Sequence, residues 1–437
     1  MSIKILSIGY YDDFARFFLG IKKELKQENN KIELKYLSLY FSGYLYFLVR
    51  LQNVSFFSFK VWINKILNKN KYQNIINKNV TYRGIDLNEI IKYHKLLDNE
   101  NELNLKLQAI SYIDIIEKLF NNYKPDILIL SSDSRLSIEI FDIKAKELGI
   151  KTYYFEQGPF GTTMFDNKGV NANASIRNKL FQIDDTTQED KDEKIKKFFQ
   201  RKRSIKYKRN PIYRGSDYIL QFILSKIGLL PIDIKMQKEV KIITHEYINL
   251  LKNKYTEDKT IFLLVLQVPY DVNMVYHSPF YNNHFEILQD VYQNLPQNSQ
   301  LLVREHPLYQ GKYEKELYTF MYKNHISLDT NDLYKSIDKS DVIIVNNSTV
   351  GIEAISKLKT VVVLGNSYYD RKGICLKLSY KDELKYLLNS SLSFKSKEEK
   401  VISFLNYFYN YYLVNGHFRD ENLEASKNIA KEILNDL

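Results

Sequence analysis

The chain has 437 residues, 44% hydrophobic and 26% charged, so it is a globular protein too long for one ordinary core, and two domains are expected. A single cysteine, Cys375, excludes an internal disulfide framework and a cysteine-based zinc site. The net charge of +11 is uneven: nine Lys and Arg and no acid fall within 194–209, which leaves +2 for everything else.

A first strand is expected at 3–8, with no apolar core or cleavage site of a secretion signal before it. An amphipathic helix over 13–26 follows, then a strand at 31–37 where polar and apolar residues alternate. Long helices are expected at 41–67 and 87–122. The most apolar window, 41–63, is interrupted by Arg50 and Lys60, so no membrane span is expected. A strand at 127–130 runs into Ser131-Ser132-Asp133-Ser134, a helix over 137–148 closes at Gly149, and a strand follows at 151–155. The region 176–255 has a weaker pattern. Its basic run suits a solvated connector helix or an anionic surface such as a membrane, a glycan or nucleic acid, with nucleic acid disfavoured by the near-neutral remainder. The apolar stretch 217–230 reads as a buried helix in preference to a shallow membrane-facing one. A second alternating block has strands at 261–266, 300–304, 341–345 and 360–364, with helices at 283–295, 311–324, 332–338 and 348–357. The tail is helical, ending in a helix over 423–437.

Strand–helix alternation of this kind predicts an α/β fold with two doubly wound, Rossmann-like domains facing a cleft. The expected division is a first domain at 1–175, a basic helical connector at 176–255, a second domain at 256–400 and C-terminal helices at 401–437 packing back across the cleft.

Ligands of such sheets bind beyond the carboxyl ends of the strands, so polar residues there are the candidate site. Glu156 is the first polar group off the 151–155 strand and suits a general base or nucleophile; Asp166 and Asp133 are further carboxylates of that half. Each could instead brace a loop. In the second half, Gln267, Asp271, His277 and Ser278 crowd the loop after 261–266. Arg304-Glu305-His306-Pro307 ends the next strand, where a guanidinium and an imidazole suit a phosphate. Asn346, Asn347, Ser348 and Thr349 form a strand-to-helix turn, with Gly351 and Glu353 behind it, an arrangement that suits an anion and ribose hydroxyls. There is no Gly-x-Gly-x-x-Gly fingerprint, no P-loop and no His/Cys metal set, so a metal-free reaction is expected.

Five motifs in order resemble the bacterial capsule polysaccharide biosynthesis family, whose members include β-Kdo transferases that use CMP-Kdo. They are Glu156-Gln157-Gly158, Gly169-Val170-Asn171, the Gln267 to Phe280 loop, His306-Pro307, and Asn347 to Gly351 followed by Leu364 to Asp370. The resemblance covers about 150–375. It implies a GT-B-like fold and a glycosyltransferase that takes a CMP-activated acidic sugar as substrate, with no bound cofactor. The CMP phosphate would lie on His306, Ser348 and Thr349, Glu156 would face the anomeric carbon, and Arg304 or Lys168 would meet the sugar carboxylate. A glycan or glycolipid acceptor is expected with it, the single cysteine suits the reducing cytoplasm, and the basic run 194–209 suits a peripheral contact with the inner membrane face. Some Kdo transferases resemble Glu-Asp-Gly where this chain has Gln157, and lipid-priming members have Leu-Arg-Pro where it has Pro159-Phe160-Gly161. Epimerisation of a sugar nucleotide, polyol-phosphate transfer and a non-catalytic role in capsule assembly or export are the alternative readings.

Overall fold

The computed structural model describes residues 2–29, 31–97, 100–180, 205–226, 230–234, 242–243, 251, 258–269 and 271–437. Of the basic run, 194–204 lies outside the described residues, as do 227–229 of the apolar stretch that follows. The chain divides into two compact units: 1–170 with 199–237 and 411–437, and 171–198 with 238–410. The expected connector and tail are therefore not separate layers. Both 205–226 and the chain end belong to the first unit.

In the first unit, β1 (Ile3–Gly9), α1 (Asp12–Glu28) and β2 (Ile32–Ser38) open a parallel sheet. The expected helix over 41–67 is instead α2 (Phe41–Leu48), a short strand β3 (Val54–Phe56) and α3 (Phe57–Leu67). Leu51 adopts φ 52°, which ends the first helix, and the β-prone Val54-Ser55-Phe56 adds to the edge of β2. The expected helix over 87–122 is likewise broken, and α4 spans Glu102–Tyr123 with Asn101 capping it through the Asn104 N–H. Then come β4 (Ile127–Ser131), α5 (Leu136–Glu147), β5 (Lys151–Gln157) and β6 (Thr163–Asp166). The antiparallel β6 was not expected, because its Gly-Pro and Gly flanks read as loop. The sheet order is β6-β5-β4-β1-β2-β3, with Leu413–Val414 added outside β6. Chain order reverses between β1 and β4, so the crevice of this sheet opens at their carboxyl ends.

The additions pack for identifiable reasons. The helix Glu424–Asn435 lays Ala425, Ile429, Ala430 and Ile433 into the same core as Phe14, Phe17, Phe18 and Ile21 of α1. The helix Pro211–Lys226 is held by charge: Asp217 accepts the Ser42 N–H at 2.8 Å and faces Arg209 at 3.6 Å, while Arg209 Nε donates to buried Asp12 at 2.5 Å. That helix was expected to be buried; its outer face is exposed.

The second unit is a six-stranded, wholly parallel sheet: β7 (Thr260–Val265), β8 (Ser299–Arg304), β9 (Ser327–Leu328), β10 (Val342–Val345), β11 (Thr360–Val363) and β12 (Leu376–Lys377). Helices α6 (Val272–Tyr276), α7 (His284–Gln293), α8 (Lys315–Lys323), α9 (Leu333–Lys339) and α10 (Val350–Ser356) lie between them. The order is β9-β8-β7-β10-β11-β12, so the direction of winding reverses between β7 and β10. The Val/Ile/Leu runs of β7 and β10 are buried on both faces, as central parallel strands require.

Because Asp217 is buried and joins α2 to the 211–226 helix, Asp217→Ala should lower the unfolding free energy by about 3 kcal/mol. Urea denaturation measures this; an unchanged midpoint would show that the ion cluster does not hold the helix.

Candidate functional site

The reversal between β7 and β10 puts Gln267 and Asn347 side by side at the strand ends. The Asn347 N–H donates to Gln267 Oε1 at 3.4 Å, which fixes the amide with Nε2 turned away. Asn347 Nδ2 donates to the carbonyls of Asn273 (2.9 Å) and His277 (3.1 Å). These bonds leave Gln267 Nε2 and Asn347 Oδ1 buried with no partner among the described residues, in side chains of residues only 6% and 8% exposed. A donor and an acceptor are thus left open at the point where the fold places ligands.

The surroundings hold this pair rigidly. The Gln267 N–H donates to His284 Nε2 at 3.3 Å, and burial pushes His284 down to about 3, so it stays neutral. Tyr313 donates its hydroxyl proton to the Gln267 carbonyl and accepts the His306 N–H, each at 3.0 Å, tying the ends of β7 and β8. His277 is buried, and its carbonyl takes the Asn366 N–H at 2.7 Å. A Cβ on Gly365 would lie 2.5 Å from Asn346 Oδ1 and 2.6 Å from the His277 carbonyl, so only glycine fits there. Gly351 is required for the same reason against the Tyr369 phenol.

His306 is half-buried, and Pro307 starts a single 3-10 turn behind it. Its Nδ1 accepts the Leu308 N–H at 3.3 Å, which puts the imidazole proton on Nε2, and burial lowers its pKa. The ring is therefore a neutral N–H donor. Ser348 Oγ accepts the Val350 N–H at 3.3 Å, and Thr349 is exposed at the start of α10, with Glu353 half-buried in that helix's first turn. His306 and Ser348 do not stand on neighbouring strands. β7 lies between β8 and β10, so their strand ends are about 10 Å apart and Gln267 sits between them.

Other expected ligands are committed elsewhere. Arg304 donates to Asp329 (2.7 Å), the Asn331 carbonyl (2.8 Å) and Ser336 Oγ (3.1 Å), so its guanidinium braces the β8 and β9 ends. Asp271 caps α6 through the Met274 N–H at 2.9 Å. Two cations that sequence reasoning missed meet beyond the end of β11. Arg177 forms a bidentate pair with Asp370 at 3.0 and 2.8 Å and reaches Asn366 Oδ1 at 3.2 Å. Lys377 lies 4.0 Å from the same carboxylate, so two cations share one acid at the end of β11. Burial pushes Lys377 down to about 8. Arg177 lies far from Asp370 in sequence, and no local pattern links them.

In the first unit the three carboxylates separate by role. Asp133 accepts the Val170 N–H (2.9 Å) and the Ser134 hydroxyl (2.6 Å). Asp166 is buried and accepts the Lys168 N–H and the Tyr412 hydroxyl, each at 2.8 Å. Both brace loops. Among the described residues Glu156 accepts only the adjacent Gln157 N–H, at 2.9 Å, and burial raises its pKa against the pull of that bond and of Arg419. Arg135 lies over the Tyr10 ring at 5.4 Å, at the neighbouring strand ends.

Residues 137–418, well over half of the chain, match the family model for capsule polysaccharide biosynthesis proteins. The chain belongs to the capsule polysaccharide biosynthesis family. Protein FixF of Sinorhizobium fredii is 28% identical over 163 residues, which are 35% of this chain and 38% of FixF, so the match spans well under half of that relative. Among solved structures, the chain is similar to the β Kdo 2,7 transferase of Thermosulfurimonas dismutans KpsC (14% identity, TM-score 0.37, 76% of this chain and 95% of that one). It is also similar to the UDP-GlcNAc 2-epimerase of Methanocaldococcus jannaschii (12% identity, TM-score 0.34, 99% and 100%). Glu156, Asp166, Arg177, Gln267, His306, Asn347 and Asp370, and the whole β7–β12 sheet, fall inside the stretch matched to the capsule family, whereas Asp133 and Arg135 lie just before it.

The shared acid makes Lys377 a measurable probe. Its folded pKa of about 8 lies below the ordinary 10.5, so between those values the unfolded chain holds the proton that the folded chain has released. Stability from this group therefore rises as pH climbs through that window. Urea denaturation should show wild type gaining on Lys377→Met from pH 8 to 10.5; parallel curves would contradict the burial of this amine.

Proposed function

We propose that this member of the capsule family is a glycosyltransferase of capsule or surface polysaccharide synthesis that moves an acidic, Kdo-like sugar from a CMP-activated donor. The observation that carries the reading is the unpartnered pair at the β7–β10 reversal, Gln267 Nε2 and Asn347 Oδ1. A buried amide atom without a partner costs about 1–3 kcal/mol, a cost relieved when a ligand supplies the missing group. A phosphate oxygen satisfies the donor and a ribose hydroxyl satisfies the acceptor. His306 Nε2–H and the hydroxyls of Ser348 and Thr349 flank them, and the two cations that share Asp370 favour an anion.

In the proposed reaction the acceptor oxygen bonds to the anomeric carbon as the bond from that carbon to the phosphate oxygen breaks. CMP departs with the bonding electrons, and the acceptor proton passes to Glu156. The raised pKa of Glu156 suits a base better than the braced Asp133 and Asp166 do. Charge on the departing phosphate meets hydrogen-bond donors set in place before the reaction, which is the term that contributes most to such barriers. The proposed reaction uses no metal. We place the reaction in the cytoplasm, with a glycan or glycolipid as acceptor.

With CMP-Kdo and a capsule oligosaccharide, His306→Ala should lower kcat by about 10²–10³ with the fold intact. Near-normal turnover would remove His306 from the phosphate site, and release of free sugar or an epimer without acceptor would favour the other enzyme classes. The wild-type rate should rise with pH through a limb above the ordinary glutamate value of 4.5, because a base works ionised and burial lifts this one. Glu156→Gln should abolish that limb; a variant that keeps it would exclude Glu156 as the base.

A further inference from the structure

The net charge outside 194–209 is small, but it is not spread evenly. Residues 34–85 contain eight Lys and Arg and not one Asp or Glu. They form α2, β3, α3 and the helix Lys69–Lys78 of the first unit. Arg83 is paired with Asp114 and Glu117, but Arg50, Lys60, Lys69, Lys71 and Lys78 are exposed. The same elements leave large apolar groups outside. Leu48, Val49 and Leu51 end α2 in the open, and Ile63, Ile66 and Leu67 do so on α3, with Leu51 93% and Leu67 78% exposed. A half-buried aromatic ladder runs beneath them, Tyr44 on Phe56 (5.7 Å), Phe56 on Phe59 (5.8 Å) and Phe59 on Trp62 (5.3 Å).

The helix Pro211–Lys226 joins this surface through α2, where Tyr46 and Tyr213 pack at 5.2 Å and Arg50 donates to the Tyr213 hydroxyl at 3.2 Å. Its amphipathicity is inverted. The one acid, Asp217, points inward, while Ile212, Tyr218, Ile219, Phe222 and Ile223 are all more than half exposed. Arg214 and Lys226 complete the outer face, and the Lys226 amine lies 4.3 Å over the Phe222 ring. An ordinary surface helix hides its apolar stripe and shows its charges to water.

We propose that this face of the first unit, formed by α2, α3 and the 211–226 helix, docks on an anionic lipid bilayer. Aliphatic groups and rings enter the headgroup boundary, the lysine and arginine stems reach along the surface, and Trp and Tyr take their usual interfacial place. The absence of acid over 52 consecutive residues lowers repulsion from lipid phosphates. It also argues against a second copy as occupant, since two such cationic faces repel. No described helix is long and apolar enough to cross a membrane, so the proposed mode is docking in the interfacial plane.

Sedimentation of the full chain with vesicles tests this. It should bind phosphatidylcholine vesicles that contain phosphatidylglycerol, bind phosphatidylcholine alone far more weakly, and release in high salt. Ile219→Glu with Phe222→Glu, and separately Lys60→Glu with Lys69→Glu, should each lower partitioning by at least about tenfold while the melting temperature stays that of wild type. No binding to the phosphatidylglycerol vesicles, or wild-type partitioning by both variants, would overturn the proposal. So would self-association of the wild type, or capture of an acidic protein, that the variants abolish without any vesicle binding.

Discussion

A reversal of winding direction in a parallel sheet forces two helices to leave on opposite faces, and the strand ends between them cannot be covered by either. In the second unit that constraint falls on β7 and β10. Everything proposed for the donor follows from it. The residues just past those strands, Gln267 and Asn347, are held by one long amide bond and by the carbonyls of Asn273 and His277, and they still keep a donor and an acceptor open. A core position in such a place would be filled by an apolar side chain at no polar cost. Two uncompensated amide atoms at that position suit a site whose last partner arrives from outside.

The surrounding polar residues divide by what they already touch. Arg304, Asp133, Asp166 and Asp271 have the chemistry of catalysis or binding, but their hydrogen bonds are spent on carboxylates, backbone amides and helix starts. Gln267, Asn347, His306 and Glu156 keep capacity. His306 gains it from a neutral ring whose Nδ1 is occupied, and Glu156 from a single local bond and a raised pKa. Type and position along the chain do not separate these groups; the inventory of partners does.

Much of the architecture is legible in the amino-acid sequence. Apolar runs bounded by polar turns mark the buried parallel strands β1, β4, β5, β7, β8, β10 and β11, and polar–apolar alternation marks β2. The misses have local causes. Leu51 takes a left-handed conformation that no helical pattern announces, so 41–67 read as one helix. β6 pairs antiparallel behind Pro159 and two glycines, where turn signals outweigh strand propensity. The inward Asp217 and outward Ile219 and Phe222 could not be assigned, because an apolar stripe does not tell which way it faces. For the site, the strand-end positions of Gln267, His306 and Asn347 were readable, whereas Arg177, Lys377 and their shared acid Asp370 depend on contacts between distant segments.

Calorimetric titration of CMP into wild type and Gln267→Leu, with the melting temperature of each recorded, tests the central claim most directly. The account predicts that the variant stays folded, since removal of the unpaired Nε2 offsets the lost acceptor of the Asn347 N–H, and that its CMP affinity falls at least about tenfold. Equal affinity in the two proteins, or no CMP binding by wild type, would contradict it.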